Sequence, residues 1–341
     1  MERRLSSYIG CLLGLAAGDG LGQGSELLNG FLPTTAYTQI AAYACNGLLL
    51  GVTRGQLSGI MAPPVRYIAM ALKEWAQLQL WRREDQIVCW ISRSPRMDYR
   101  RCAEPGVLDV LAAGELGTME DHASSMNGAG ALMTAAAVGL FFDPERLPRK
   151  EIQRLGAEAA ALTHGDPAAF LSGAAMAHII SRIVWDGEED LERLSREAGI
   201  ILQRRFGREY HQVRQIRDGL KKARALARSK KTGREEALEQ LGHDAAAQVL
   251  AGSLYCCLTS TEPAQTVEAA ARWCPAGAAV VGAILGAIHG DEAIPEQWRE
   301  EIECESVLRE LAEDMFRGCP MMKGSKVFDI EWDAKYVSPE L

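Results

Sequence analysis

Gly10-Cys-Leu-Leu-Gly-Leu-Ala-Ala-Gly-Asp-Gly-Leu-Gly22 is the stretch on which the fold turns. Leu12, Leu13 and Ala16 form an apolar stripe that stops at Gly18, as in a short buried helix. Downstream comes Thr35-Ala-Tyr-Thr-Gln39. Near the other end comes Pro275-Ala-Gly-Ala-Ala-Val-Val-Gly-Ala-Ile-Leu-Gly-Ala-Ile-His-Gly290. All three are rich in small residues, which let helices approach closely but contribute less apolar area each.

Helical periodicity runs through the chain between these segments. Ile40, Tyr43, Ala44, Gly47 and Leu48 mark one apolar face. Pro63-Pro64 opens a further helix through Tyr67, Met70, Ala71 and Trp75. Residues 131–140 are apolar nearly all round and belong in the centre. Residues 168–184 and 245–258 read as buried in the same way. The one strand-like alternation is Lys326-Val-Phe-Asp-Ile-Glu-Trp332 in the tail. The expected fold class is therefore all-α, a compact multi-helix body.

Composition sets outer limits. The 341 residues are 48% hydrophobic and 24% charged, the balance of a globular protein, with a formal net charge of -8. Such a surface does not favour nucleic acid or an anionic membrane. No uninterrupted apolar run reaches membrane-spanning length, and no signal-peptide pattern opens the chain. Nine cysteines without Cys-x-x-Cys spacing read as small buried side chains, so the expected setting is the reducing cytoplasm. The six histidines show no zinc-ligand spacing. The basic run between Asp218 and Glu239 reads as a solvated helix and a turn, with Thr232 expected to cap the next helix.

In their order, the three glycine- and alanine-rich segments resemble those of the ADP-ribosylglycohydrolase family, which includes enzymes that remove ADP-ribose from protein side chains. The resemblance spans residues 8–300. Two weaker segments extend it. Met126-Asn-Gly-Ala-Gly-Ala-Leu-Met-Thr134 is similar to the family's asparagine-glycine segment, and Leu162-Thr-His-Gly-Asp-Pro167 to its Leu-Thr-His-Gly-His-Pro segment. With motifs near both ends, the family implies one all-helical domain, 1–317. Residues 318–341 form a tail that carries no family motif and is expected to pack on that domain.

The resemblance fails where the chemistry should be. The family carries a Thr-Asp-Asp-Thr-Gln type segment where this chain has Thr35, Ala36, Tyr37, Thr38 and Gln39. It carries a Gly-Asp-Thr-Asp-Thr type segment at Ala276, Gly277, Ala278, Ala279 and Val280. Those acids hold two magnesium or manganese ions in the family. Ala36, Gly277 and Ala279 offer no side-chain ligand, and a neutral phenol at Tyr37 is a poor substitute. The expectation is that the chain has no metal site and no cofactor.

What remains is a cleft. On chemistry alone, Asp19 and Glu26 are cap or surface carboxylates. By resemblance, Glu26 falls beside the bound ribose, and it is the catalytic candidate if the chain is active. Asp19 is expected to organise its loop by capping the next turn. Thr35, Tyr37, Thr38, Asn127, Gly128, His164 and Gly277 complete the candidate cleft. Asp166 is expected to cap the helix at Pro167. The leading expectation is a divergent family member without metal-dependent hydrolysis. It would bind ADP-ribose, a related nucleotide or an ADP-ribosylated protein. The alternatives are a metal-independent glycosidic hydrolase with altered chemistry and a structural scaffold.

Overall fold

The structure is a computed structural model that describes residues 4–24, 30–81, 88–97, 99–101, 103–104 and 106–337. Among them are sixteen α-helices. The first half holds α1 (Leu5–Gly22), α2 (Ala36–Ser58), α3 (Pro64–Gln79), α4 (Val107–Ala113), α5 (Ala131–Phe141), α6 (Arg149–Ala161), α7 (Pro167–Asp186) and α8 (Leu191–Phe206). The second half holds α9 (Val213–Arg228), α10 (Arg234–Leu241), α11 (Ala246–Leu258), α12 (Pro263–Trp273), α13 (Pro275–His289), α14 (Glu296–Glu301), α15 (Glu305–Arg317) and α16 (Ile330–Tyr336). No sheet forms among the described residues. One isolated parallel bridge joins Leu32 to Ile302. The fold is all-α.

The pairing of α1 with α13 explains the small residues of the opening motif. Gly10 abuts Gly286, Gly14 abuts Gly282, Gly18 abuts Ala278 and Gly22 abuts Pro275, so the two helices run antiparallel. A methyl added at Gly14 would run into the Gly282 carbonyl, and one at Gly282 into the Gly14 carbonyl. Backbone contact along this seam replaces the side-chain interlock of an ordinary helix pair. It also brings the C-terminal end of α1, with Asp19, to the N-terminal end of α13, with Gly277. Two segments some 260 residues apart thus meet at one end of the molecule.

Around this pair, α5, α7 and α11 are buried on most of their surface. Helix α7 is long and apolar enough to cross a membrane by length and composition, but 89% of that window is buried inside the protein. Pro64 stands in the first turn of α3, as read from the sequence. Asp166 caps α7 by accepting from Ala168 N at 2.8 Å and Ala169 N at 3.3 Å. Helix α10 starts without a side-chain cap at Gly233, because the Thr232 hydroxyl pairs with Ser229 at 3.1 Å instead.

The tail corrects the strand reading of Lys326–Trp332. Asp329 accepts from Trp332 N at 2.9 Å and starts a helix at Ile330. Trp332 and Tyr336, one turn apart, are both buried, whereas Val327, Phe328 and Ile330 are exposed. The Trp332 indole donates to Thr53 Oγ1 at 2.9 Å, and the Tyr336 hydroxyl donates to Asp314 Oδ2 at 2.7 Å. An i, i+4 aromatic pair needs helical geometry to reach one surface, and that outweighed the local β pattern.

Candidate functional site

The end where α1 meets α13 carries the first polar cluster. Thr35 is the N-cap of α2, and its hydroxyl oxygen accepts from Tyr37 N at 3.3 Å. Asp19, fully buried in α1, accepts from Thr35 N at 2.8 Å, Thr38 N at 3.1 Å and both threonine hydroxyls at 2.6 Å. A carboxylate from one helix therefore caps another. Burial pushes the Asp19 carboxyl above its usual range, and the four hydrogen bonds pull against that rise without cancelling it. None of Asp19, Thr35 and Thr38 lines the cleft. Their polar atoms are spent on one another, and what they do is aim Tyr37.

Tyr37 lines a cleft of about 380 Å³, together with Glu104, Met126, Asn127, Gly128 and Ala129 from the segments before α4 and α5. His243, Asp244, Cys274, Pro275 and Ala276, from the starts of α11 and α13, complete the lining. Glu104 is its most connected group. Its carboxylate accepts from the Tyr37 hydroxyl at 3.2 Å, Gly130 N at 2.6 Å and His164 Nε2 at 3.0 Å. A carboxylate only accepts, so the imidazole donates through Nε2. His164 Nδ1 lies 2.8 Å from the Thr163 hydroxyl, which fixes the ring. Burial by itself would raise the Glu104 carboxyl. The hydrogen bond and charge of His164, with the Gly130 amide and Tyr37 hydroxyl, outweigh it and hold Glu104 below the usual range. Glu104 is thus an anion at neutral pH. Burial and the neighbouring Glu104 charge push the Tyr37 phenol well up, so Tyr37 is a donor.

The irregular segment before Glu104 is firmly held. Gln39 and Gln79 both donate to the Tyr99 carbonyl, at 3.0 and 3.1 Å, and Arg101 N donates to Gln79 Oε1 at 3.0 Å. Arg101 also pairs with Glu303 at 2.5 Å and donates to the Thr34 carbonyl at 3.0 Å. These bonds tie the wall bearing Glu104 to the start of α2.

At the far side, Cys274 caps α13 by accepting from Gly277 N at 3.3 Å. Burial pushes its thiol up, which is unlike a reactive thiolate. Gly277 is buried, and the Trp273 ring lies against it and against Gly252, where either position would clash with an added Cβ. The Gly277 carbonyl accepts from Ser253 at 3.2 Å.

Of the residues picked from sequence, Tyr37, Asn127 and Gly128 line the cleft. His164 stands behind Glu104, and Gly277 lies under Trp273. Glu26 lies outside the described residues. Sequence reading missed Glu104, which sits in no motif. A trace of it was present: at Gly128 the Glu104 carboxylate occupies the space a Cβ would need, and Gly130 packs tightly against His164 and Glu104. His243 and Asp244 also lie on the lining, just before α11. A larger groove, about 950 Å³, lies elsewhere, between Met61, Tyr67, Phe142, Trp185 and Phe316. No motif residue reaches it, so the smaller cleft is the candidate site.

The ADP-ribosylglycohydrolase family model matches residues 1–324. Among solved structures, one described as an ADP-ribosylglycohydrolase-related protein complex superposes with a TM-score of 0.62 at 20% identity. The match covers 93% of this chain and 99% of that one. At that identity the likeness speaks to fold. A search of curated proteins finds no match.

Proposed function

The chain belongs to the ADP-ribosylglycohydrolase family, and from that membership we propose that it is a ligand-binding member that works without the family's pair of divalent ions. The ligand is of the ribosyl class: ADP-ribose, a related nucleotide or an ADP-ribosylated protein. The observation that carries the proposal is the donor set. Where the resemblance puts metal-holding acids, this chain has the buried Ala36 methyl and Gly277 beneath an indole ring. Both oxygens of Asp19 are taken by Thr35 and Thr38. Two divalent ions need several hard oxygens in near-octahedral arrays. Among the described residues no group of three or more His, Cys, Asp or Glu converges to supply them. The residues present do not fit the ion pair, and no step is derived through it.

What the cleft does hold is a braced polar wall. Glu104 and Asn127 face it with acceptors, and the Tyr37 phenol is fixed against Glu104. A hydroxyl-bearing ligand finds partners there without a metal. The second reading, a metal-independent glycosidic hydrolase, is favoured by position: Glu104 is a carboxylate on the cleft lining, where a base for water would stand, although the hydrogen bonds that hold it below the usual range make it a weak base.

Calorimetry with ADP-ribose, in EDTA and again with excess manganese, tests the first reading alongside an assay of ADP-ribose release from arginine- and serine-linked peptides. Equal binding in both buffers with no release is expected. Release that requires manganese would overturn the proposal. Metal-independent release abolished by Glu104→Gln would establish the second reading.

A further inference from the structure

Ten large apolar side chains are exposed among the described residues, and six of them belong to one region. Ile60 and Met61 lie in the turn after α2, and Met322, Val327, Phe328 and Ile330 lie ahead of or at the start of α16. The other four are scattered over separate segments. Lys323 ties the two groups together. Its backbone N donates to the Gln56 carbonyl at 3.0 Å, and its Nζ donates to the Ser58 carbonyl at 2.9 Å.

The exposed run is anchored on both sides. Lys323 holds it to the end of α2, and the Trp332 indole holds it to Thr53. Between them Arg317 pairs with Asp329 at 2.5 Å, and Asp329 caps α16. Phe328 and Ile330 are therefore held out in water on an ordered backbone, so little ordering cost remains for a partner to meet. The run lies past residue 324, where the match to the family ends, so it is a feature of this chain.

Area says how large the partner's footprint is. At exposures of 58–76%, the six side chains leave on the order of 800 Å² in water. That is about one side of a standard protein interface, and it exceeds the largest apolar patch of an ordinary monomer.

Charge says which partner fits. Lys326 and Glu331 bracket Val327-Phe328-Asp329-Ile330. Both are exposed, and neither side chain has an ion-pair partner among the described residues. About a two-fold axis this run lies antiparallel to its own copy. Position 326 then faces 331, and position 327 faces 330. Each free charge meets its opposite, and Val327 meets an isoleucine. Asp329, the one acid inside the run, is already taken by Arg317. A lipid surface would cover the apolar residues without pairing the two charges.

We propose that the chain pairs with a second copy of itself through this surface, about a two-fold axis that sets Lys326 against the partner's Glu331. The proposal goes beyond the ligand-binding reading and is independent of it, since none of these residues lines the cleft.

Sedimentation equilibrium of the full chain from about 1 to 100 μM tests the proposal. The wild type should pass from 37.2 kDa to twice that mass as concentration rises. Phe328→Asp should weaken pairing about 100-fold or more, because a charge then enters the centre of the interface from both copies. Its melting temperature should match that of wild type at a concentration where wild type is monomeric. Lys326→Glu should weaken pairing about 3- to 10-fold, since the axis repeats the like-charge contact. Adding Glu331→Lys to it should restore pairing. Ile200→Asp, at an exposed site on α8, should leave the mass unchanged. A wild type monomeric throughout, a dimer indifferent to Phe328→Asp, or a double swap no better than Lys326→Glu alone would overturn the proposal. A monomer that instead sediments with phosphatidylcholine vesicles, and loses this with Phe328→Asp, would overturn it in favour of a lipid surface.

Discussion

Replacing Asp19 with alanine tests the logic of the site most directly, because Asp19 touches no ligand surface and yet holds the start of α2. The change removes the partner of two buried backbone amides, Thr35 N and Thr38 N, and of two hydroxyls. The hydroxyls can rotate toward other acceptors. The amides cannot, and a buried unpaired amide costs about 1–3 kcal/mol. The desolvation cost that raises the Asp19 carboxyl leaves with the side chain and moderates this figure, so the net expectation is a loss of about 2–4 kcal/mol. With 341 residues and an unfolding entropy of about 2.1 cal/mol/K per residue, that lowers Tm by about 3–6 °C. Scanning calorimetry measures the shift, and Tyr37 should lose its fixed position with the helix start. Asp19→Asn should fall between, keeping one acceptor but turning an NH2 group toward donors. A Tm within 1 °C of wild type for the alanine variant would refute the claim that this carboxylate organises α2.

Three further outcomes are expected. Gly282→Val should destabilise by about 3 kcal/mol or more, seen as a lowered denaturant midpoint, because the side chain meets the Gly14 backbone rather than a movable side chain. Trp332→Ala should cost about 3–5 kcal/mol, and limited proteolysis should then release the C-terminal segment, which that indole anchors through Thr53. His178 is buried, and burial lowers it from 6.5 to about 4. The unfolded chain therefore binds the proton first, so this group's contribution is complete above about pH 6.5 and is lost as pH falls toward 4. The loss amounts to about 3 kcal/mol, and a series of melts from pH 7 to 4 should flatten in His178→Asn.

Sequence alone determined the helical class and the central place of the glycine- and alanine-rich segments, because periodicity and residue type report both without a structure. Resemblance to the family, carried by motif order, pointed to the family and to Ala36, Tyr37, Gly277 and Ala279 at its acid positions. Sequence also assigned Asp166 as the cap of the helix at Pro167, because that cap acts on amides two and three residues on. Asp19, expected to organise a loop by capping the next turn, instead lies inside α1 and holds the start of α2 from 16 and 19 residues away, which only the tertiary structure decided. Only the tertiary structure decided what lines the cleft. Glu104 comes from an irregular segment with no motif, and it is set in place by Gln39, Gln79 and Arg101, whose partners span the chain to Glu303. The tail helix was hidden for the same reason. Asp329 to Tyr336 gains its helix by burying Trp332 and Tyr336 against α2 and α15, and a local β pattern cannot register a surface supplied from 20 to 280 residues away. Long-range contacts chose which side chains became wall and which became support.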